Sequence, residues 1–121
     1  MRFVIEIPEK VSLNRIYAGI HFRERSEHKE DWHYAVMEAK IPKYKGSYPV
    51  EMHYHFRVNG SQLDISNHAY MLKMCEDALV HNKIITDDTQ EYISKVSITA
   101  QKQKKGLPDV VEVEIIEKIN I

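Results

Sequence analysis

The sequence predicts an α+β fold, a single domain of residues 1–121 with a mixed β-sheet of about four strands packed against two helices. Three observations carry that prediction. Val50, Met52, Tyr54, Phe56 and Val58 alternate with Glu51, His53, His55 and Arg57, the period-two pattern of a strand with one buried face. Two other segments carry apolar residues at helical spacing: Trp32, Ala35, Val36 and Ala39, then Met71, Met74, Cys75, Ala78 and Leu79. Along the chain these patterns run β-α-β-α-β-β.

The elements follow in order. Met1, Phe3, Ile5 and Ile7 alternate with polar neighbours and Val4, which reads as a strand that Pro8 ends. Residues 11–19 form a loop or short helical turn holding Ser12, Asn14, Arg15 and Tyr17. Ser26 is the expected cap of a first helix running to about Lys40. Pro42, Gly46 and Pro49 mark an extended connection to the strand at 50–58, after which Asn59-Gly60 turns the chain. Ser66 is expected to open a second helix that ends near Asn82. Ile84-Ile85 then re-enters the core. Residues 92–100 and 111–121 alternate as the last two strands, separated by a basic turn at 101–106.

Composition sets limits. A hydrophobic share of 43% suffices for a modest core. The net charge of −1 advertises no global field for nucleic acid, although an acidic centre with basic flanks would sum to the same value. The one cysteine, Cys75, has no partner for an internal disulfide and lies in the apolar stripe, as expected of a buried free thiol in a reducing cytoplasm. Residues 1–8, alternating and then stopped by Pro8, are not the pattern expected of a signal peptide, and no apolar run in the sequence reaches membrane-spanning length.

The chemistry-bearing residues gather around the second helix. Ser66, Tyr70, Lys73 and Asp77 follow a helical spacing that places them opposite the Met/Cys stripe. Asp64 precedes the helix, whose first-turn amides favour an anion. Asp87-Asp88 stands at the mouth of a strand able to pair beside the one ending near Val58, an arrangement expected to bring Asp64 and Asp88 together. Two carboxylates, with substrate phosphates and water, are how proteins usually hold Mg²⁺. Helix caps, a turn and a plain i,i+4 pair between Lys73 and Asp77 would account for the same residues.

The motifs as they stand are Ile7-Pro8, Ser12-Leu13-Asn14-Arg15-Ile16-Tyr17, Asp64-Ile65-Ser66-Asn67, Lys73, Asp77-Ala78-Leu79 and Asp87-Asp88. In type, order and spacing this resembles the RusA-like Holliday junction resolvases, common in phages and prophages. The resemblance spans almost the whole chain. It implies a Mg²⁺-dependent endonuclease, with Mn²⁺ a substitute, acting as a homodimer in the bacterial or phage-infected cytoplasm. Such an enzyme nicks four-way DNA junctions symmetrically in recombination and repair. Two cuts related by a two-fold axis match the two sites of a C₂ dimer.

Carried over by position, Asp64 and Asp88 would be metal ligands and Lys73 the phosphate-facing base. Asp87, Ser66, Asn67 and Asp77 are further candidates for the metal shell. Asn14, Arg15, Arg23, Arg25 and Lys29 would meet DNA phosphates. Ser66 departs from the family pattern, which has Asp there. A neutral hydroxyl is a poor Mg²⁺ ligand, so a junction-binding protein of weakened catalysis is the alternative on the same fold. Two lesser features complete the survey. His53 and His55 form a His-x-His pair without an evident partner set for Zn²⁺. Phe22 is a candidate wedge at a junction.

Overall fold

The computed structural model describes residues 1–19, 21–60 and 63–118. Its strands are β1 (Arg2–Glu6), β2 (Val50–Val58), β3 (Ile93–Lys102) and β4 (Val110–Glu117); its helices are α1 (Leu13–Tyr17), α2 (Phe22–Glu38) and α3 (Ala69–His81). The strands form one mixed sheet in the order β1-β4-β2-β3. β4 runs antiparallel to both β1 and β2, whereas β2 and β3 run parallel. This is the expected α+β domain, with α1 as the short helical turn foreseen before the first long helix.

The period-two pattern of β2 is realised in full. Val50, Met52, Tyr54, Phe56 and Val58 are buried under the helices, with Trp32 and Val36 of α2 and Met71, Cys75 and Leu79 of α3 in the same core. Glu51, His53, His55 and Arg57 lie on the opposite face, half-buried among polar neighbours. There Arg57 pairs with Glu112, and Arg2 pairs with both Glu112 and Glu114. Both ring nitrogens of His53 meet β3 hydroxyls, Nδ1 at 2.6 Å from Ser97 Oγ and Nε2 at 2.9 Å from Thr99 Oγ1. The His-x-His pair therefore serves cross-strand hydrogen bonding, as such pairs do in sheets.

Helix boundaries differ from expectation for local reasons. α2 begins at Phe22, a turn before Ser26, because the His21 imidazole caps it by accepting from the Arg23 N–H at 3.1 Å. Glu24 in that first turn suits the helix dipole. α2 stops two residues before Lys40, which takes a left-handed conformation with φ 51°. Ser66 does not open an α-helix. It lies in a 3₁₀ turn, Ile65–His68, and α3 proper starts at Ala69. β3 continues to Lys102, taking Gln101 and Lys102 from the expected turn. β4 ends at Glu117, and residues 119–121 of the expected last strand lie outside the described residues.

Leu79 is fully buried where α3 meets the sheet. Leu79→Ala should cost about 2–5 kcal/mol, the usual range for a truncated core leucine. A lower urea midpoint at unchanged m-value is the readout.

Candidate active site

α3 has two chemically distinct sides. Met71, Cys75 and Leu79 face the sheet, and burial pushes the Cys75 thiol well above its ordinary range. Lys73 and Asp77, one helical turn apart, face outward. Lys73 Nζ lies 3.0 Å from Asp77 Oδ1 and 3.0 Å from Asp88 Oδ2. The second contact spans fifteen residues of sequence and joins α3 to the segment leading into β3.

This bridge sets the charge states. The Lys73 hydrogen bond holds the Asp88 carboxyl below its ordinary value, against opposing desolvation. The hydrogen bond to Asp88, with further support from Asp77, raises Lys73 well above the usual ammonium range. An ammonium so held accepts no proton near neutral pH, so Lys73 can act there as a fixed positive charge.

Behind the bridge sits a carboxylate absent from the sequence-based candidates. Glu76 is buried, and its Oε1 accepts from the Tyr54 hydroxyl at 3.0 Å. Burial raises the Glu76 carboxyl, with Asp88 and Asp77 adding to the rise and the Tyr54 bond and Lys73 opposing it. Burial likewise raises the Tyr54 phenol well above its ordinary value. The signal was available in the sequence: Glu76 is one carboxylate between Leu72 and Leu79, at core spacing.

The remaining acidic and amide candidates stand apart from this bridge. Asp64 is exposed, and its side chain makes no capping bond to the 3₁₀ turn and no ion pair among the described residues. Ser66 is exposed and Asn67 half-buried in the same turn. His68 fastens that turn from below, with Nδ1 at 3.2 Å from the Asp64 carbonyl and 3.0 Å from that of Ile65. Both carbonyls accept, so Nδ1 carries the proton. Among the described residues His68 Nε2 is buried without a partner, and the ring lies 5.0 Å from Phe56. Asp87 turns back to accept from the Asp88 N–H at 2.8 Å.

Strand pairing does not itself unite Asp64 with Asp88. Parallel register sets Ile93 opposite Val50 and Lys102 opposite Val58. The segment before β3 therefore meets the start of β2: the Thr86 N–H donates to the Tyr48 hydroxyl, and the Val50 N–H to the Tyr92 carbonyl. Asp64 follows the other end of β2. Lys73, carried on the crossover helix, is the side chain that reaches Asp88.

The donor chemistry around this helix fits a hard divalent cation. Among the described residues no capping bond or ion pair engages the Asp64 carboxylate, and Asp88 has one oxygen clear of Lys73. Among the described residues no group of three or more His, Cys, Asp or Glu is arranged to hold a metal ion. Mg²⁺ needs no such cage, since one or two carboxylates plus substrate phosphates suffice.

The basic candidates divide in two. Arg15 is committed to Glu9 and Glu24, and both carboxylates also approach His28 Nε2. His28 is buried, with Nδ1 at 2.9 Å from the Tyr70 hydroxyl. Tyr70 is thus turned inward, away from the outward face where its spacing had placed it. Asn14, Arg23, Arg25 and Lys29 are exposed, and no ion pair holds the last three among the described residues. Tyr17 and Phe22, 78% and 71% exposed, flank the same end. Lys29 also lines a cleft of about 290 Å³ between α2 and α3, together with Ser26, Glu30, His33, Asp77 and His81. That cleft links the basic face of α2 to the Lys73 bridge.

Compared with models of known protein families, the chain matches none. Compared with curated proteins, it again finds no match.

Because Asp88 is held low by Lys73, their pair supports the fold above the ordinary carboxylate range. That support is lost as pH falls through the lowered value. Lys73→Met should shift the Asp88 carboxyl upward toward its ordinary value and so remove this acid-dependent contribution to stability. Carboxyl-carbon NMR titration of the metal-free protein measures it, and an unmoved Asp88 would break the assignment.

Proposed function

We propose that this chain is a Mg²⁺-dependent, structure-selective endodeoxyribonuclease of the RusA-like type, resolving four-way DNA junctions by paired nicks. The observation that carries the proposal is the Lys73 bridge between Asp77 and Asp88. It ties together three positions that the resemblance marks, from two segments of the chain, at a solvent-accessible face.

Asp64 and Asp88 would hold the ion. When bound, Mg²⁺ supplies Lewis-acid polarisation of a phosphate and an acidified water. The Lys73 ammonium stabilises negative charge developing on the phosphate, and it stays protonated because Asp77 and Asp88 hold it. Asn14, Arg23, Arg25 and Lys29 would take backbone phosphates along a DNA arm. Tyr17 and Phe22 offer exposed ring faces beside them, of the kind that stack on or wedge between bases. The proposed assembly is a homodimer in the cytoplasm of a bacterium or phage-infected cell, with branched DNA as its partner.

Ser66 favours a second reading. Its hydroxyl replaces a charge that the family pattern supplies, while the basic end of α2 is intact. A junction-binding protein of weak catalysis fits the same features.

A labelled four-way junction in Mg²⁺ or Mn²⁺ separates the two. Paired symmetric nicks by the wild type support the enzyme. Binding without nicks, with cleavage appearing in Ser66→Asp, supports the second reading. Under the first, Asp64→Asn and Asp88→Asn each lower cleavage at least about a hundredfold while binding persists. Full cleavage by both variants removes these residues from the mechanism.

Phosphate contacts have their own signature. Arg25→Ala and Lys29→Ala should each flatten the slope of log K against log salt by about 0.9. Fluorescence anisotropy across a salt series reads it, and unchanged slopes would clear α2 of a DNA role.

A further inference from the structure

Among the described residues one buried side-chain polar atom lacks a hydrogen-bond partner, and it is His68 Nε2. An orphaned buried acceptor carries a desolvation cost that a ligand's donor removes. The imidazole is 1% exposed. Its Nδ1 carries the proton, because the Asp64 and Ile65 carbonyls accept there. Nε2 is therefore a lone pair, suited to an N–H or O–H and not to an anion.

His68 lines a cavity of about 210 Å³ beside the Ile65–His68 turn, at the ends of β2 and β3. Nδ1 is turned to the backbone of that turn, so Nε2 is the polar atom the ring brings to the cavity. Val58, Leu63, Ile65 and Ala100 supply apolar walls. Ile65 is 54% exposed, a large apolar side chain left at the mouth. Lys102 also lines the cavity. It stands opposite Val58 in the parallel register and two residues beyond Ala100, so it shares their face of the sheet. No ion pair holds Lys102 among the described residues. Lys104 and Lys105 follow it, both exposed.

We propose that this cavity takes the base of one unpaired nucleotide in a DNA strand. The base enters between Val58, Leu63, Ile65 and Ala100, an N–H on its edge donates to His68 Nε2, and its phosphate meets Lys102 at the mouth. Three features select this ligand. Apolar walls suit the flat faces of a ring, the buried lone pair suits an edge N–H, and the ammonium suits an anion a sugar's length away. The cavity is smaller than the about 300–1,000 Å³ of drug-sized pockets, which matches a single ring system. Lys104 and Lys105 carry the positive charge onward, as a strand requires and a free nucleotide does not. A paired base is excluded, since its N–H edge is already bonded and its faces are stacked. The inference rests on DNA being the partner, and on neither the metal ligands nor cleavage.

Fluorescence anisotropy of the full chain, without metal, on labelled duplexes bearing one unpaired adenosine tests it. The wild type should bind this duplex at least about tenfold tighter than the same duplex made abasic at that position. Purine in place of adenine lacks the amino group and should cost about fivefold. The ¹⁵N resonance of His68 Nε2 should move with adenine and stay with purine. These comparisons use the wild type, so none depends on a variant that folds. Ala100→Leu fills the cavity while His68 keeps its hold on the turn. It should erase the tenfold preference and leave binding to a fully paired duplex unchanged. Equal binding of the base-bearing and abasic duplexes overturns the assignment. So does a His68 resonance that no duplex moves, as a cavity holding only water would give, or one moved by deoxyadenosine monophosphate alone. A chain that cuts no junction yet keeps the base preference leaves the pocket standing, and one that cuts junctions without the preference does not.

Discussion

Parallel neighbours cannot be joined by a tight turn. The chain leaving β2 must cross over the sheet before β3 can lie beside it. In this protein the crossover is the 3₁₀ turn and α3, and most of the structure follows from it. α3 has to lie on the sheet, so Met71, Cys75 and Leu79 are buried and Lys73 and Asp77 are left outside. The return segment begins beside the start of β2, so Asp88 rises against the outer side of α3. β4 then fills the place between β1 and β2 and closes the core from the other side.

The charges on α3 make poor sense as stabilising devices. Exposed ion pairs contribute about 0–1 kcal/mol each, and Lys73 is among the more exposed side chains of its bridge. Burying Glu76 carries a desolvation cost, offset in part by the Tyr54 hydroxyl. Four ionisable groups lie within two turns of helix and the loop beside it, three of them with shifted proton affinities. Such concentrations mark functional surfaces more often than structural ones.

The N-terminal segment is held to α3 by a polar network. Glu9, Arg15, Glu24, His28 and Tyr70 link the loop after β1, both N-terminal helices and the crossover helix. Arg15 is paired with two carboxylates within that network, whereas no ion pair holds Arg23, Arg25 or Lys29 among the described residues. A basic residue in a motif and a basic residue available to a ligand are different things, and the carboxylates around it decide which one it is.

Much of this protein was legible in its sequence because periodicity is local. The alternation in residues 50–58 marked β2 to the residue, and the stripe from Met71 to Leu79 marked the buried side of α3. Where local signals compete, the boundaries moved. Ser26 looked like a cap, but His21 supplied an acceptor one turn earlier, and the turn fastened by His68 took Ser66 out of the α-helix. Tyr70 had the spacing of an outward residue, yet α2 covers it with His28. By itself the sequence determined the order of the long elements and most of their buried faces. The tertiary structure alone decided which side chains meet: the sheet order, the inward turn of Tyr70, the bond of Glu76 to Tyr54 and the grip of Lys73 on Asp88. Hydrophobic spacing is set by neighbours along the chain, whereas those contacts depend on the register of strands far apart in it.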